Sequence, residues 1–284
     1  MAVAKAWERS WVDMRLKRFR RPRQGGMERI WVRLLDTLQR LTVLFYQWKV
    51  SYWRGVARLS ELPGLHRHGI RPSADGGGRG IRMLLVSQFL SVSDLLVDLE
   101  PQLRGKSVLY IPTASNPQVH QQAVRVAARR LRRMGLRVRT VDVAKVSPRL
   151  VHRALTHCDI IYIGGGNTFY LLQELRRIGA DRMLVDQVRR GKIYVGESAG
   201  AVITAPDIAY IGEMDDAGRA PELSDTQGLG LVDFSVVPHY GTPWANPATA
   251  AIIRKYLQIL KLRIIRDDQA ILVRGDHAEV ICEH

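Results

Sequence analysis

Short apolar strands alternating with helical stretches from residue 83 onward predict an α/β protein, a three-layer sandwich with a mostly parallel sheet and helices on both faces. Three observations carry this. Apolar runs of about four or five residues recur between longer amphipathic stretches. Two of the runs end in glycine-rich turns, where a strand gives way to a helix. A composition shift near residue 82 separates this pattern from an upstream segment of different character.

The elements follow in order. Residues 83–87 and 107–111 are apolar strands, the second running into Pro112-Thr113-Ala114. Residues 118–134 read as a helix, with Val119, Ala123, Val126 and Ala127 on one side and arginines on another. A strand over 137–141 precedes one over 159–163, which ends in Gly164-Gly165-Gly166-Asn167. Helices over 169–178 and 183–190 lead to a strand over 192–195 that stops at Gly196. Later strands are expected at 234–237, 262–265, 270–273 and 279–282, the last of them spaced to pair antiparallel. There is no internal repeat.

Upstream, residues 1–82 hold 18 Lys/Arg against 6 Asp/Glu, whereas residues 83–284 hold 25 against 21. The formal charge of +16 therefore belongs mainly to the N-terminal segment. Five of the six tryptophans (Trp7, Trp11, Trp31, Trp48, Trp53) lie there too. Ile30, Leu34, Leu38, Leu41 and Leu44 predict an amphipathic helix within 27–60, and Pro63, Pro72 and Gly76-Gly77-Gly78 predict a linker. Segment 1–82 is thus a basic extension, helical or disordered, and contact of 1–60 with nucleic acid or a membrane surface would suit its charge. A different reading starts native translation at Met83. Two cysteines, Cys158 and Cys282, form no disulfide framework and have no zinc-site partners, which suits a cytoplasmic setting. No run reaches the roughly 18 apolar residues of a membrane span.

Gly196-Glu197-Ser198-Ala199-Gly200, between a strand and an apolar helix, has the form of a nucleophile elbow. Its glycines leave room for a strained turn that presents the Ser198 hydroxyl, and the Ala199 N–H is a natural oxyanion donor. The Gly164–Asn167 run lacks the Gly-x-Gly-x-x-Gly spacing of a dinucleotide site, and it would face Ser198 if the two preceding strands are neighbours. His239 ends an apolar strand 41 residues after Ser198 and is the candidate base. An acid to orient it could be Glu213, Asp215 or Asp216, with Asp267 and Asp268 a further cluster.

Taken together, Ile163-Gly164-Gly165-Gly166-Asn167-Thr168-Phe169, Gly196–Gly200 with Ala201, Pro206-Asp207-Ile208 and Pro238-His239-Tyr240 resemble the peptidase E group of serine peptidases, family S51, which includes aspartyl dipeptidases and cyanophycinases. The likeness runs from Met83 to about the C-terminus. It implies a fold similar to class I glutamine amidotransferases, with Ser198 as nucleophile, His239 as base, and Gly165 and Ala199 near the oxyanion hole. It also places the acid about fifteen residues after the nucleophile, at Glu213, with Asp215 and Asp216 as alternatives. A basic residue that holds an acidic substrate would correspond to Arg254 or Lys255. The implied activity is cleavage of short peptides, as a dipeptidase or other exopeptidase, through an acyl-enzyme without metal or cofactor. An esterase sharing the elbow, and a non-catalytic peptide- or nucleic-acid-binding protein, are the alternatives.

Overall fold

The structure is a computed structural model that describes residues 80–117 and 122–282. The helix expected within 27–60, the linker and most of the basic extension lie outside the described residues. The described chain opens at Gly80 and enters its first strand, β1, at Arg82–Val86.

Eight more strands follow: β2 (Ser107–Ile111), β3 (Arg137–Thr140), β4 (Ile160–Ile163), β5 (Ile193–Glu197), β6 (Ser235–Val237), β7 (Leu262–Ile264), β8 (Gln269–Arg274) and β9 (His277–Cys282). Seven of the nine strands among the described residues form one sheet in the order β3-β2-β4-β5-β1-β8-β9. The first five in that order are parallel, and β8 and β9 add an antiparallel edge. β6 and β7 make a separate, parallel, two-stranded sheet. The α/β class and the antiparallel end both match what the strand spacing predicts.

The sheet is buried on both faces because its central strands are apolar at every position rather than at alternate ones. Met83 and Leu85 of β1 point into one core, where they meet α4 (Pro148–Thr156), α5 (Thr168–Arg177), α6 (Ala180–Arg189) and the single turn α7 (Ala199–Val202). Leu84 and Val86 point into the other, beneath α1 (Phe89–Val92), α2 (Leu96–Leu99) and α3 (Gln122–Arg133). A third apolar cluster joins Phe169 and Leu172 of α5 to Tyr210, Val237 and Ile252, the last on α8 (Asn246–Tyr256). It fastens the small β6-β7 sheet to the main body.

Topology decides which loops meet. In the paired strands β4 and β5, Ile163 lies opposite Gly196, and Leu85 of β1 lies opposite Gly196 from the other side. The glycine loop after β4, the Ser198 turn after β5 and the segment after β1 therefore share the carboxyl edge of the sheet, where ligands of open α/β sheets bind.

Candidate active site

Ser198 adopts φ 50° and ψ −108°, a conformation that side-chain-bearing residues rarely accept. The surroundings enforce it. Its N–H donates to Val86 O at 2.8 Å, and its carbonyl accepts from Ala201 and Val202 as α7 begins. A Cβ at Gly196 would collide with Gly200 O, and one at Gly200 with Ile163 O, so the elbow needs glycine on both sides. Glu197 braces the same turn from beneath. Its Oε1 accepts from Phe89 N–H at 2.9 Å and its Oε2 from the Tyr162 hydroxyl at 2.8 Å, tying β5 to α1 and β4.

Among the described residues His239 is the other non-glycine residue with a positive φ, at 63°. Its N–H donates to Ser87 Oγ at 2.9 Å, while its carbonyl accepts from Thr242 N–H and Thr242 Oγ1. Ser87 in turn donates to Ile265 O. Strain of about 1–3 kcal/mol per residue persists where the surroundings over-determine it, which is common at functional sites. The outcome is a buried imidazole whose Nε2 lies 2.9 Å from Ser198 Oγ.

The other ring nitrogen, Nδ1, lies 2.7 Å from Asp267 Oδ1. A carboxylate can only accept, so Nδ1 carries the proton and Nε2 is left to accept from the serine hydroxyl. Ser198, His239 and Asp267 thus form one continuous hydrogen-bonded chain.

That arrangement corrects the expectation of Glu213 as the acid. Glu213 Oε1 accepts from Lys255 Nζ at 2.8 Å, clipping the one-turn segment Ala209–Glu213 to the end of α8. Asp216 does not reach the imidazole either: its Oδ1 accepts from Gly218 N–H, and its carbonyl accepts from Asn167 Nδ2. Asp268 is engaged by Arg266 at 2.9 Å. Asp215 sits closer to the site, with Oδ2 accepting from Thr168 N–H at the start of α5. Burial holds its carboxyl above the usual carboxylate range, against the opposing pull of the Thr168 hydrogen bond and of His239 nearby. Asp267 was legible only as part of a distant acidic pair. The missed signal was the parallel pairing of β6 and β7, in which Val237 faces Ile264. His239 and Asp267 lie two and three residues beyond those partners.

The glycine loop does face Ser198: a Cβ at Gly165 would lie 3.2 Å from Ser198 Cβ. Among the described residues no backbone carbonyl takes up the N–H of Gly165 or Ala199, so both are free to meet a developing oxyanion. Arg254 and Lys255 are exposed on the last turn of α8, and no hydrogen bond or ion pair among the described residues joins either to Ser198, His239 or Asp267. Burial pushes the Cys158 thiol up to about 11, so it stays protonated near neutral pH. A tilted aromatic contact lies at the rim of the site. The ring of Trp244, itself 64% exposed, lies 4.7 Å from the imidazole, centroid to centroid.

Among the described residues no helix is long and apolar enough to cross a membrane. Comparison with known proteins gives a single answer. The chain is 42% identical over 194 residues to the uncharacterized peptidase Lin0382 of Listeria innocua, covering 68% of this chain and 93% of that one. It is 33% identical over 143 residues to peptidase E of Salmonella arizonae, covering 49% and 58%. The crystal structure of a candidate peptidase E protein from Listeria monocytogenes EGD-e superposes with a TM-score of 0.69 at 38% identity, over 72% of this chain and all of that one. Residues 83–281 match peptidase family S51 as a whole, and the chain belongs to that family of peptidases.

Proposed function

We propose that the protein is a serine-type peptidase that hydrolyses short peptides through an acyl-enzyme, with Ser198 as nucleophile, His239 as base and Asp267 as the acid that orients it. The observation that carries this is the unbroken chain from Ser198 Oγ to His239 Nε2, at 2.9 Å, and from Nδ1 to Asp267 Oδ1, at 2.7 Å.

The roles follow from the geometry. Ser198 Oγ attacks the scissile carbonyl carbon as its proton passes to Nε2. The Gly165 and Ala199 N–H groups receive the negative charge that develops on the carbonyl oxygen. The imidazolium then gives its proton to the amine nitrogen, the carbon–nitrogen bond breaks, and the acyl group remains on Ser198. Water attacks the ester by the same route in reverse, with His239 again accepting and returning a proton. Asp267 keeps Nδ1 protonated throughout and stabilises the imidazolium. Every step uses groups of this chain and water.

Incubation of the full chain with a mixed dipeptide and tripeptide library, read by mass spectrometry beside Ser198→Ala, tests the proposal. Cleavage that disappears with the substitution is the expected result. Cleavage that survives it would refute the serine mechanism.

A further inference from the structure

The loop that follows His239 exposes two large aromatic side chains, Tyr240 at 47% and Trp244 at 64%. A single exposed aromatic needs no explanation. Trp244 differs because it is exposed and yet lies against the imidazole, 4.7 Å away at a tilt of 53°. It is also held in place. Thr242 donates to His239 O through both N–H and Oγ1, and its own carbonyl accepts from Ala245 and Asn246 N–H as α8 begins. The indole therefore hangs on a turn bonded to the histidine backbone, close to the reacting atoms and facing solvent.

Which part of a substrate would meet it follows from the proton path. The imidazolium must deliver its proton to the nitrogen of the departing amine, so the leaving residue sits beside His239. The acyl residue lies toward Ser198 and the Gly165 loop. An exposed indole against the imidazole consequently borders the leaving residue. Two cations of the neighbouring segments are already paired, Arg266 with Asp268 and Lys255 with Glu213, and no hydrogen bond or ion pair among the described residues joins the exposed Arg254 to Ser198, His239 or Asp267. An aromatic face without a charged partner gains most by covering apolar or aromatic surface.

We infer that Trp244 is the wall of the leaving-residue subsite and that the preferred substrates are short peptides with an apolar, foremost an aromatic, residue on the amine side of the scissile bond. This rests on the serine-peptidase mechanism proposed above. Trp244 is a specificity residue in this account, since Ser198, His239 and Asp267 do the chemistry without it.

The test uses the full chain and peptides that share one acyl residue but release phenylalanine, leucine, glycine or aspartate. The phenylalanine peptide should exceed the glycine peptide in kcat/KM by about tenfold. Trp244→Ala should erase that ratio while leaving the glycine peptide within about twofold, and Trp244→Phe should keep most of it. Equal rates across the series, or an equal loss on both peptides in Trp244→Ala, would overturn the inference, the latter because it marks a residue that only positions His239. Binding of phenylalaninamide and glycinamide to Ser198→Ala, by calorimetry, reads the same preference without turnover. Tighter phenylalaninamide binding that is lost in the added Trp244→Ala background supports the wall, and equal binding refutes it. Labelling of Ser198 by a fluorophosphonate separates the two levels: labelling with no preference removes only the wall, and no labelling removes the mechanism with it.

Discussion

Two acidic loops approach the carboxyl edge of this sheet, and they do different work. The loop 213–216 comes soon after Ser198 in sequence and carries three carboxylates. All three are engaged in holding the fold: Glu213 on Lys255, Asp215 on the Thr168 N–H, and Asp216 in its own turn. The loop 266–268 comes 69 residues after Ser198, and its Asp267 alone meets the histidine. The difference lies in strand pairing. His239 and Asp267 follow neighbouring parallel strands and leave the small sheet on the same edge, whereas 213–216 packs between α5 and α8. Sequence distance from Ser198 is a poor guide to which carboxylate meets His239, and strand adjacency is a good one.

The comparison breaks most sharply at the chain of hydrogen bonds. Ser198→Ala should lower kcat by roughly 10⁶ in a peptidase of this kind, leaving only what binding and the oxyanion donors supply. Asp267→Asn keeps the shape but can donate to Nδ1, which favours the wrong tautomer, so a loss of about 10⁴ in kcat is expected. Steady-state kinetics on any peptide that the library yields measures both.

A smaller effect separates Asp215 from its neighbours. An unfolded carboxyl titrates near about 3.9, and burial raises the folded value of Asp215 above its ordinary range. The folded state then holds its proton more tightly, so stability is lost as pH rises from that unfolded value through the raised folded one. Asp215→Asn keeps an acceptor for Thr168 N–H and removes the charge. Its thermal midpoint should match the parent near pH 3 and exceed it increasingly toward pH 7. A constant gap at all pH values would contradict the burial argument. Least of all should follow from Glu213→Gln, which removes an exposed ion pair: kcat close to the parent, with a slightly looser end of α8 seen as faster amide exchange.

Much of this was legible in the sequence because the signals were local. The central strands announced themselves as uninterrupted apolar runs, and the elbow as glycine at each side of Glu197-Ser198-Ala199. The glycine loop faced the serine once β4 and β5 proved to be neighbours. Helix α4 had a readable start, with Pro148 after Ser147, and its buried Val151, Ala154 and Leu155 fall at helical spacing, so it was legible in the sequence although it is missing from the expected elements. The short helices α1 and α2 carry no cap or period that a sequence reveals. Asp267 and Trp244 were obscured for another reason. Each owes its place to a tertiary contact with His239, made by a sheet pairing in one case and by the Thr242 turn in the other.

The central claim is that Asp267, and not Glu213, serves the histidine, and it can be tested without knowing the substrate. The measurement is the rate at which a fluorophosphonate labels Ser198 in the parent, in Asp267→Asn and in Glu213→Gln, at pH 7.5. The account predicts labelling slowed by about a thousandfold or more in Asp267→Asn and a parental rate in Glu213→Gln. Slow labelling in Glu213→Gln beside a parental rate in Asp267→Asn would contradict it.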